Sequence, residues 1–212
     1  MKTVIITGGS RGIGFSIVEE LLSKKYVVIN ISKNKISSIK NKDLFNYKCD
    51  ISKYNKLSQL FDRIYKKHGN LYGLINNAGI NPSRNNLSDT TYNDFDKTLK
   101  TNIYGAFNTS KFFKKKKLIN KKPGIIINIS SIVGLLSHKK RASYSISKSA
   151  INGLTRSIVA DYSELNIRCF SICPGYIETD LTRNFLKKIN NSEKNKLVKK
   201  HKLGRLGNPK DV

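Results

Sequence analysis

The stretch KTVIITGGSRGIG, residues 2–14, decides the fold. Its first half is a short apolar run, Val4-Ile5-Ile6 between Thr3 and Thr7, and reads as a strand buried on both faces. Its second half carries glycine with the spacing G-x-x-x-G-x-G, at Gly8, Gly12 and Gly14. It leads into FSIVEELLSKK, whose apolar residues recur at helical spacing. Glycine lets the backbone turn sharply and come close to a ligand. The first turn of a helix offers free N–H groups and a partial positive charge to a diphosphate. The stretch therefore predicts a phosphate cradle of Gly8, Ser10, Arg11, Gly12, Ile13 and Gly14.

Outward from this unit the same rhythm continues. YVVINI, LFNYKC, LYGLIN, GIIINIS and IRCFSIC read as further buried strands. Between them lie NKLSQLFDRIYKKHG, a long helix over TYNDFDKTLKTNIYGAFNTSKFFKKKK, and another over ASYSISKSAINGLTRSIVADYSEL. Strands alternating with helices imply a parallel sheet covered on both faces. Right-handed crossovers reduce the choice to a doubly wound α/β sheet ordered 3-2-1-4-5-6, in one domain over residues 1–212. Ligands of such sheets sit beyond the carboxyl ends of the strands, where the strand order reverses.

Composition bounds the rest. No apolar block approaches the roughly 18 residues of a membrane span, and the N-terminus has no signal-peptide pattern, so a cytoplasmic location is expected. Cys49, Cys169 and Cys173 fit no C-x-x-C spacing and read as reduced thiols, and His68, His138 and His201 form no ligand cluster with them, so no metal is expected. The net charge is +26, from 40 basic and 14 acidic residues. Two readings stay open: attraction to a polyanion such as nucleic acid, an acidic carrier protein or a membrane surface, or a compositional bias toward lysine. No basic stripe interleaved with aromatics marks a nucleic-acid reader.

SYSISKSAINGL, from Ser143, places Tyr144 and Lys148 four residues apart, on one helix face. A lysine cation beside a phenol favours the phenolate and makes it a usable proton donor. A carboxylate ending the second strand would hold the adenosine ribose of NAD(H). Here that place reads Asn30-Ile31-Ser32-Lys33-Asn34. Arg11, Lys33 and the Ser32 hydroxyl suit a 2′-phosphate instead, so NADPH is expected over NADH.

Taken together, TGGSRGIG, CDIS, NNAG, TNIYGAF, NISS, the Tyr144–Lys148 pair and PGYIETD resemble the short-chain dehydrogenase/reductase family over nearly the whole chain. Within it, NNAGI, PGYIETDLT and LGRLGNPKDV are most similar to the 3-oxoacyl-[acyl-carrier-protein] reductases. The resemblance implies a Rossmann-type fold and reduction of a carbonyl, with an acyl-carrier-bound thioester of fatty-acid synthesis as substrate. It implies that Ser131 hydrogen-bonds the substrate carbonyl, Tyr144 is the acid, Lys148 holds the nicotinamide ribose and Asn102 anchors a water chain to that lysine. Asp50 and Ile51 match adenine contacts, and Asn77, Ala78 and Gly79 match the segment passing the adenosine ribose. Pro174, Gly175, Ile177 and Thr179 match the contacts of the nicotinamide, and a lid follows over about residues 178–205.

Relative to that family the chain ends before a further helix and seventh strand, so a C-terminally incomplete sheet is expected, with a homodimer or homotetramer if a longer chain exists. Lys121, Lys122 and Arg168 could attract an acidic carrier, although Leu165 and Asn166 stand where such reductases often carry a basic residue. The alternatives are a reductase or dehydrogenase of a sugar or other small alcohol, an inactive cofactor-binding fragment, and a basic nucleic-acid-binding protein.

Overall fold

Strand β1 (Thr3–Thr7) is buried along its whole length. Val4 and Ile6 pack with Val18 of helix α1 (Gly12–Ser23) on one side of the sheet. Ile5 packs on the other side with Leu57, Leu60, Phe61 and Ile64 of α2 (Tyr54–His68). That division explains the unbroken apolar run, because alternate side chains enter two different cores. Each fully buried aliphatic side chain contributes about 1.5–3 kcal/mol. This is a computed structural model, which describes residues 1–82, 84–120, 123–136 and 138–212, with side chains for all of these except 115–120 and 184.

The other strands are β2 (Val27–Ser32), β3 (Leu44–Lys48), β4 (Leu71–Asn76), β5 (Gly124–Ile129) and β6 (Ile167–Ile172). All pair in parallel, in the order β3-β2-β1-β4-β5-β6, as the alternation predicts. Ile5 lies opposite Ile29 on one side and Leu74 on the other, which puts the switch in strand order between β1 and β4. Among the described residues the sheet has six strands.

One predicted element divides. The long helix expected from residue 91 is α3 (Tyr92–Leu99), a π turn (Lys100–Tyr104) and α4 (Gly105–Asn120). The wide turn carries Asn102 inward, where its Nδ2 donates to the Ile80 carbonyl and the Ser147 hydroxyl and its Oδ1 accepts from the Ile80 N–H. A π bulge is how a helix aims one side chain without ending.

Helix α5 (Ala142–Tyr162) follows β5 and closes through a short 3₁₀ turn into β6. At that junction Asn166 adopts φ 55°, a left-handed conformation that asparagine tolerates. The position where a basic residue is often found is thus occupied by a turn-former. Beyond β6 lie α6 (Asp180–Leu186) and α7 (Asn191–Lys199), the two helices of the expected lid. Gly207 bridges back to Ile177, and Arg205 clamps Asp211 with two bonds of 2.7 and 3.0 Å. No helix among the described residues is long and apolar enough to cross a membrane.

Candidate active site

The glycine turn is held from both sides by polar groups that the strands bury. Thr7 Oγ1 accepts from the N–H groups of Asn77 and Ala78, each at 3.1 Å. Asn77 Nδ2 returns bonds to the carbonyls of Thr7 and Gly8, each at 3.0 Å. Asn30, fully buried in β2, accepts from the Gly9 N–H at 3.0 Å and donates to Ser32 and Asn46. Gly8 and Gly12 have φ of 69° and 56°, where side-chain-bearing residues are strained.

Helix α1 begins at Gly12 with no side-chain cap and no acidic residue in its first turn. Its leading N–H groups therefore face the cleft at the switch point without an internal partner. Around that turn stand Gly8, Ser10, Arg11, Gly12, Ile13 and Gly14, all lining one cleft. These features fit a dinucleotide diphosphate.

The same cleft is lined by Ser32, Lys33, Asp50 and Ile51 beside the cradle, then Asn77, Ala78 and Gly79, then Ser131, Tyr144 and Lys148, and finally Pro174, Gly175, Ile177 and Thr179. Every residue expected in the site therefore comes to one cleft except Asn102. That residue lies behind Gly79: a Cβ added there would sit 3.4 Å from Asn102 Oδ1 and 3.6 Å from Lys148 Nζ.

At the adenosine end Lys33 Nζ pairs with Asp50 Oδ2 at 2.8 Å. Burial raises the Asp50 carboxyl, but the bonds from Lys33 and Ser52 outweigh it and leave the group below its ordinary value. The expected 2′-phosphate cation and the expected adenine contact thus hold each other.

At the other end Ser131 hydrogen-bonds Tyr144, while its neighbour Ser130 donates to the Lys148 carbonyl at 2.9 Å. That separates two serines adjacent in sequence: one faces the phenol, the other ties β5 to α5. Lys148 is buried, and its Nζ donates to the Ile129 carbonyl at 2.7 Å. An ammonium has three donors, so two remain for a ligand in the cleft. Burial lowers Lys148 to about 8.

The electrostatic expectation for Tyr144 is corrected. Burial raises its phenol above the ordinary value, and what opposes burial is Arg141 and the Ser131 bond, not Lys148. Lys148 Nζ is 5.6 Å from the ring centroid and is aimed at β5.

Sequence reading passed over a side-chain cluster next to Tyr144, outside the residues that line the cleft. Arg84, Arg141, Tyr176 and Phe185 meet there, with Tyr176 stacked on Phe185 at 6.2 Å between centroids. Arg141 precedes Tyr144 by three residues, a same-face spacing that was the available signal. His201 Nδ1–H donates to the Leu197 carbonyl, which leaves Nε2 to accept from the Tyr176 N–H at 3.0 Å. The end of α7 is thereby tied to the Pro174–Tyr176 loop. Among the described residues no group of three His, Cys, Asp or Glu could hold a metal.

The short chain dehydrogenase family matches residues 2–190. The chain belongs to that family. Its members' fold and the cleft described here make it an NAD(P)-dependent oxidoreductase. It is 34% identical over 221 residues to a 3-oxoacyl-[acyl-carrier-protein] reductase of Rickettsia prowazekii, covering all of this chain and 86% of that one. It is 32% identical over 215 residues to carbonyl reductase family member 4 of Xenopus tropicalis, covering all of this chain and 87% of the other. The solved structure of ElxO with NADP bound superposes with a TM-score of 0.90 at 31% identity, covering the whole chain and 88% of its counterpart.

Proposed function

We propose that this short-chain dehydrogenase reduces a ketone or aldehyde to an alcohol with NADPH. The observation that carries the reading is the convergence of Ser131, Tyr144 and Lys148 in the cleft that begins at the uncapped start of α1. A reduced nicotinamide supplies the hydride when bound. Tyr144 gives its phenolic proton to the carbonyl oxygen. Its raised pKa keeps that proton in place at neutral pH until the oxygen becomes basic enough to take it. Ser131 hydrogen-bonds the phenol and is set to donate to the same oxygen.

Lys148 holds the ribose hydroxyls with its two remaining donors. Pro174, Gly175, Ile177 and Thr179 orient the nicotinamide. Arg11, Ser32 and Lys33 receive the 2′-phosphate, Lys33 exchanging Asp50 for a dianion. The NADP bound in the ElxO structure supports that choice.

For the substrate, 3-oxoacyl thioesters on an acidic carrier are supported by the relative of that name and by the net charge of +26. Arg168 is an exposed cation available to such a carrier; Lys121 and Lys122 lie outside the described residues. A second reading, a small carbonyl compound, is favoured by Arg141, whose Cζ lies 6.0 Å from the Tyr144 ring centroid, and by Arg84 next to it.

The test is initial NADPH oxidation with acetoacetyl thioesters against a panel of ketoses and small ketones, with Tyr144→Phe alongside. Loss of the phenolic proton is expected to cost about 10²–10⁴ in rate while NADPH still binds. A wild-type rate in the variant removes the acid assignment.

A further inference from the structure

Three basic side chains converge on one phenol oxygen, that of Tyr176, on the Arg141 side of Tyr144. Arg141 Nη2 donates to Tyr176 Oη at 3.3 Å. His138 Nε2 lies 3.2 Å from the same oxygen, and Arg84 also hydrogen-bonds it. The three come from the segments after β4 and β5, and Tyr176 from the segment after β6. Arg141 is only 7% exposed, and its Cζ lies 6.0 Å from the Tyr144 ring centroid and 5.9 Å from that of Tyr176. Arg84 lies over the ring of Phe185 of α6, its Cζ 3.1 Å from the centroid.

Like charges brought together out of water repel, and the bond to Tyr176 offsets that only in part at Arg84. Burial first and Arg141 second lower Arg84 to about 10. Among the described residues Arg84 makes no ion pair. The carboxylate of Asp180, at the start of the helix that carries Phe185, is engaged by Arg183. The chain draws most of its charge from lysine, with eight arginines among 40 basic residues, yet two of the eight meet here. Arginine is the side chain whose planar fork matches a carboxylate or phosphate.

We propose that Arg84, Arg141, His138 and Tyr176 form an anion subsite beside Tyr144, so that the carbonyl compound reduced carries its own carboxylate or phosphate a short distance from the carbonyl. The substrate enters with its anionic group on the arginine fork, and Tyr176, fixed by His201 through its N–H, is the platform beneath it. Arg141, the residue that opens α5, and Tyr144, three residues on, set the spacing between charge and carbonyl. A long neutral acyl chain has no use for that charge, so the subsite favours a small anionic substrate over an acyl thioester. The proposal rests on the carbonyl-reductase reading for the carbonyl end of the substrate and on the arginines alone for the other.

Two measurements test it. The first is calorimetric titration of the NADP⁺-saturated chain with malonate and with inorganic phosphate. One of the two is expected to bind, with Kd weakened roughly 10- to 100-fold in Arg84→Gln, the loss of a charged hydrogen bond. Arg84→Lys keeps the charge and is expected to recover part of the affinity. The second is kcat/KM for matched pairs: acetoacetate against methyl acetoacetate, and dihydroxyacetone phosphate against dihydroxyacetone. The charged member of one pair is expected to lead by tenfold or more, mainly through KM, and the pair that leads names the anion. Arg84→Gln is expected to erase the lead.

Reduction of uncharged ketones with neither anion bound overturns the subsite and leaves the reductase standing. Arg84-dependent anion binding with no ketone reduced does the reverse. Equal kcat/KM within both pairs overturns the substrate class.

Discussion

The two ends of the cleft are built from different materials. The cofactor end is backbone: glycine at Gly8, Gly12 and Gly14, unpaired N–H groups opening α1, and small polar residues, Thr7, Asn30 and Asn77, that hold the turn. The proposed substrate end, beside Tyr144, is side chain: Arg84, Arg141, Tyr176 and Phe185, brought from separate segments. The first kind of site is written in short contiguous motifs. The second exists only after the segments have folded together. The cofactor end should therefore break when a single atom is added, and the substrate end should break only when a functional group is exchanged.

Gly14→Ala is the largest expected effect. A Cβ at residue 14 would lie 2.3 Å from the Gly8 carbonyl oxygen and 2.4 Å from Asn77 Nδ2, so the turn itself must move. Overpacking of this kind costs about 1–3 kcal/mol. We expect a lowered Tm together with loss of measurable NADPH binding by fluorescence titration. Unchanged NADPH affinity in a folded Gly14→Ala variant would show that the turn does not receive the diphosphate.

That division also describes what the sequence made legible. The six strands and their order could be read from apolar blocks and the cradle of Gly8 to Gly14 from glycine spacing, while Asp50, Ile51, Asn77 to Gly79 and the residues after β6 were named through the family resemblance. Asn102 could be named but not placed, because a π turn leaves no mark in hydrophobic periodicity and its asparagine is bound by the Ile80 backbone. Asn30 went unread as the support of Gly9, although an asparagine inside the apolar run VVINIS was a visible irregularity. The arginine cluster was illegible for a plainer reason: Arg84 and Arg141 are 57 residues apart and belong to no local pattern. The direction of the Tyr144 shift was misread because spacing on a helix reports a shared face but not burial or where a lysine's ammonium points.

Lys148 sits between the two ends and ties them to pH. Burial holds it at about 8 rather than its usual 10.5. The unfolded chain binds that proton more tightly, so from about pH 8 to 10.5 the unfolded state carries more protons and stability rises with pH through this group. Below that window the buried charge costs stability of order 3 kcal/mol. Function runs the other way. NADPH affinity is expected to fall as pH rises through about 8, approaching tenfold per unit above it, because the ammonium that holds the ribose is lost. Lys148→Met should remove both dependences, raising Tm at neutral pH and leaving NADPH binding weak at every pH. A flat NADPH affinity in the wild type between pH 7 and 9.5 would contradict the role given to the ammonium.

The smallest effect sharpens the comparison inside the cofactor end, where one side-chain contact is exchanged and no backbone moves. The Lys33–Asp50 pair spans 2.8 Å, with Lys33 67% exposed. Exposed pairs add about 0–1 kcal/mol to stability, so Lys33→Ala should leave Tm nearly unchanged. Its consequence lies in cofactor choice. A charged hydrogen bond to the 2′-phosphate contributes roughly 1.5–3 kcal/mol, so NADPH affinity should drop about tenfold or more. NADH has no such phosphate, and its affinity should hold or rise, since Asp50 is released from its partner toward the adenosine. Added salt should weaken NADPH binding more than NADH binding in the wild type and equalise them in the variant. If Lys33→Ala weakens both cofactors alike, Lys33 acts by positioning Asp50 against the base rather than by reading the phosphate, and the selectivity must come from Arg11 and Ser32 instead.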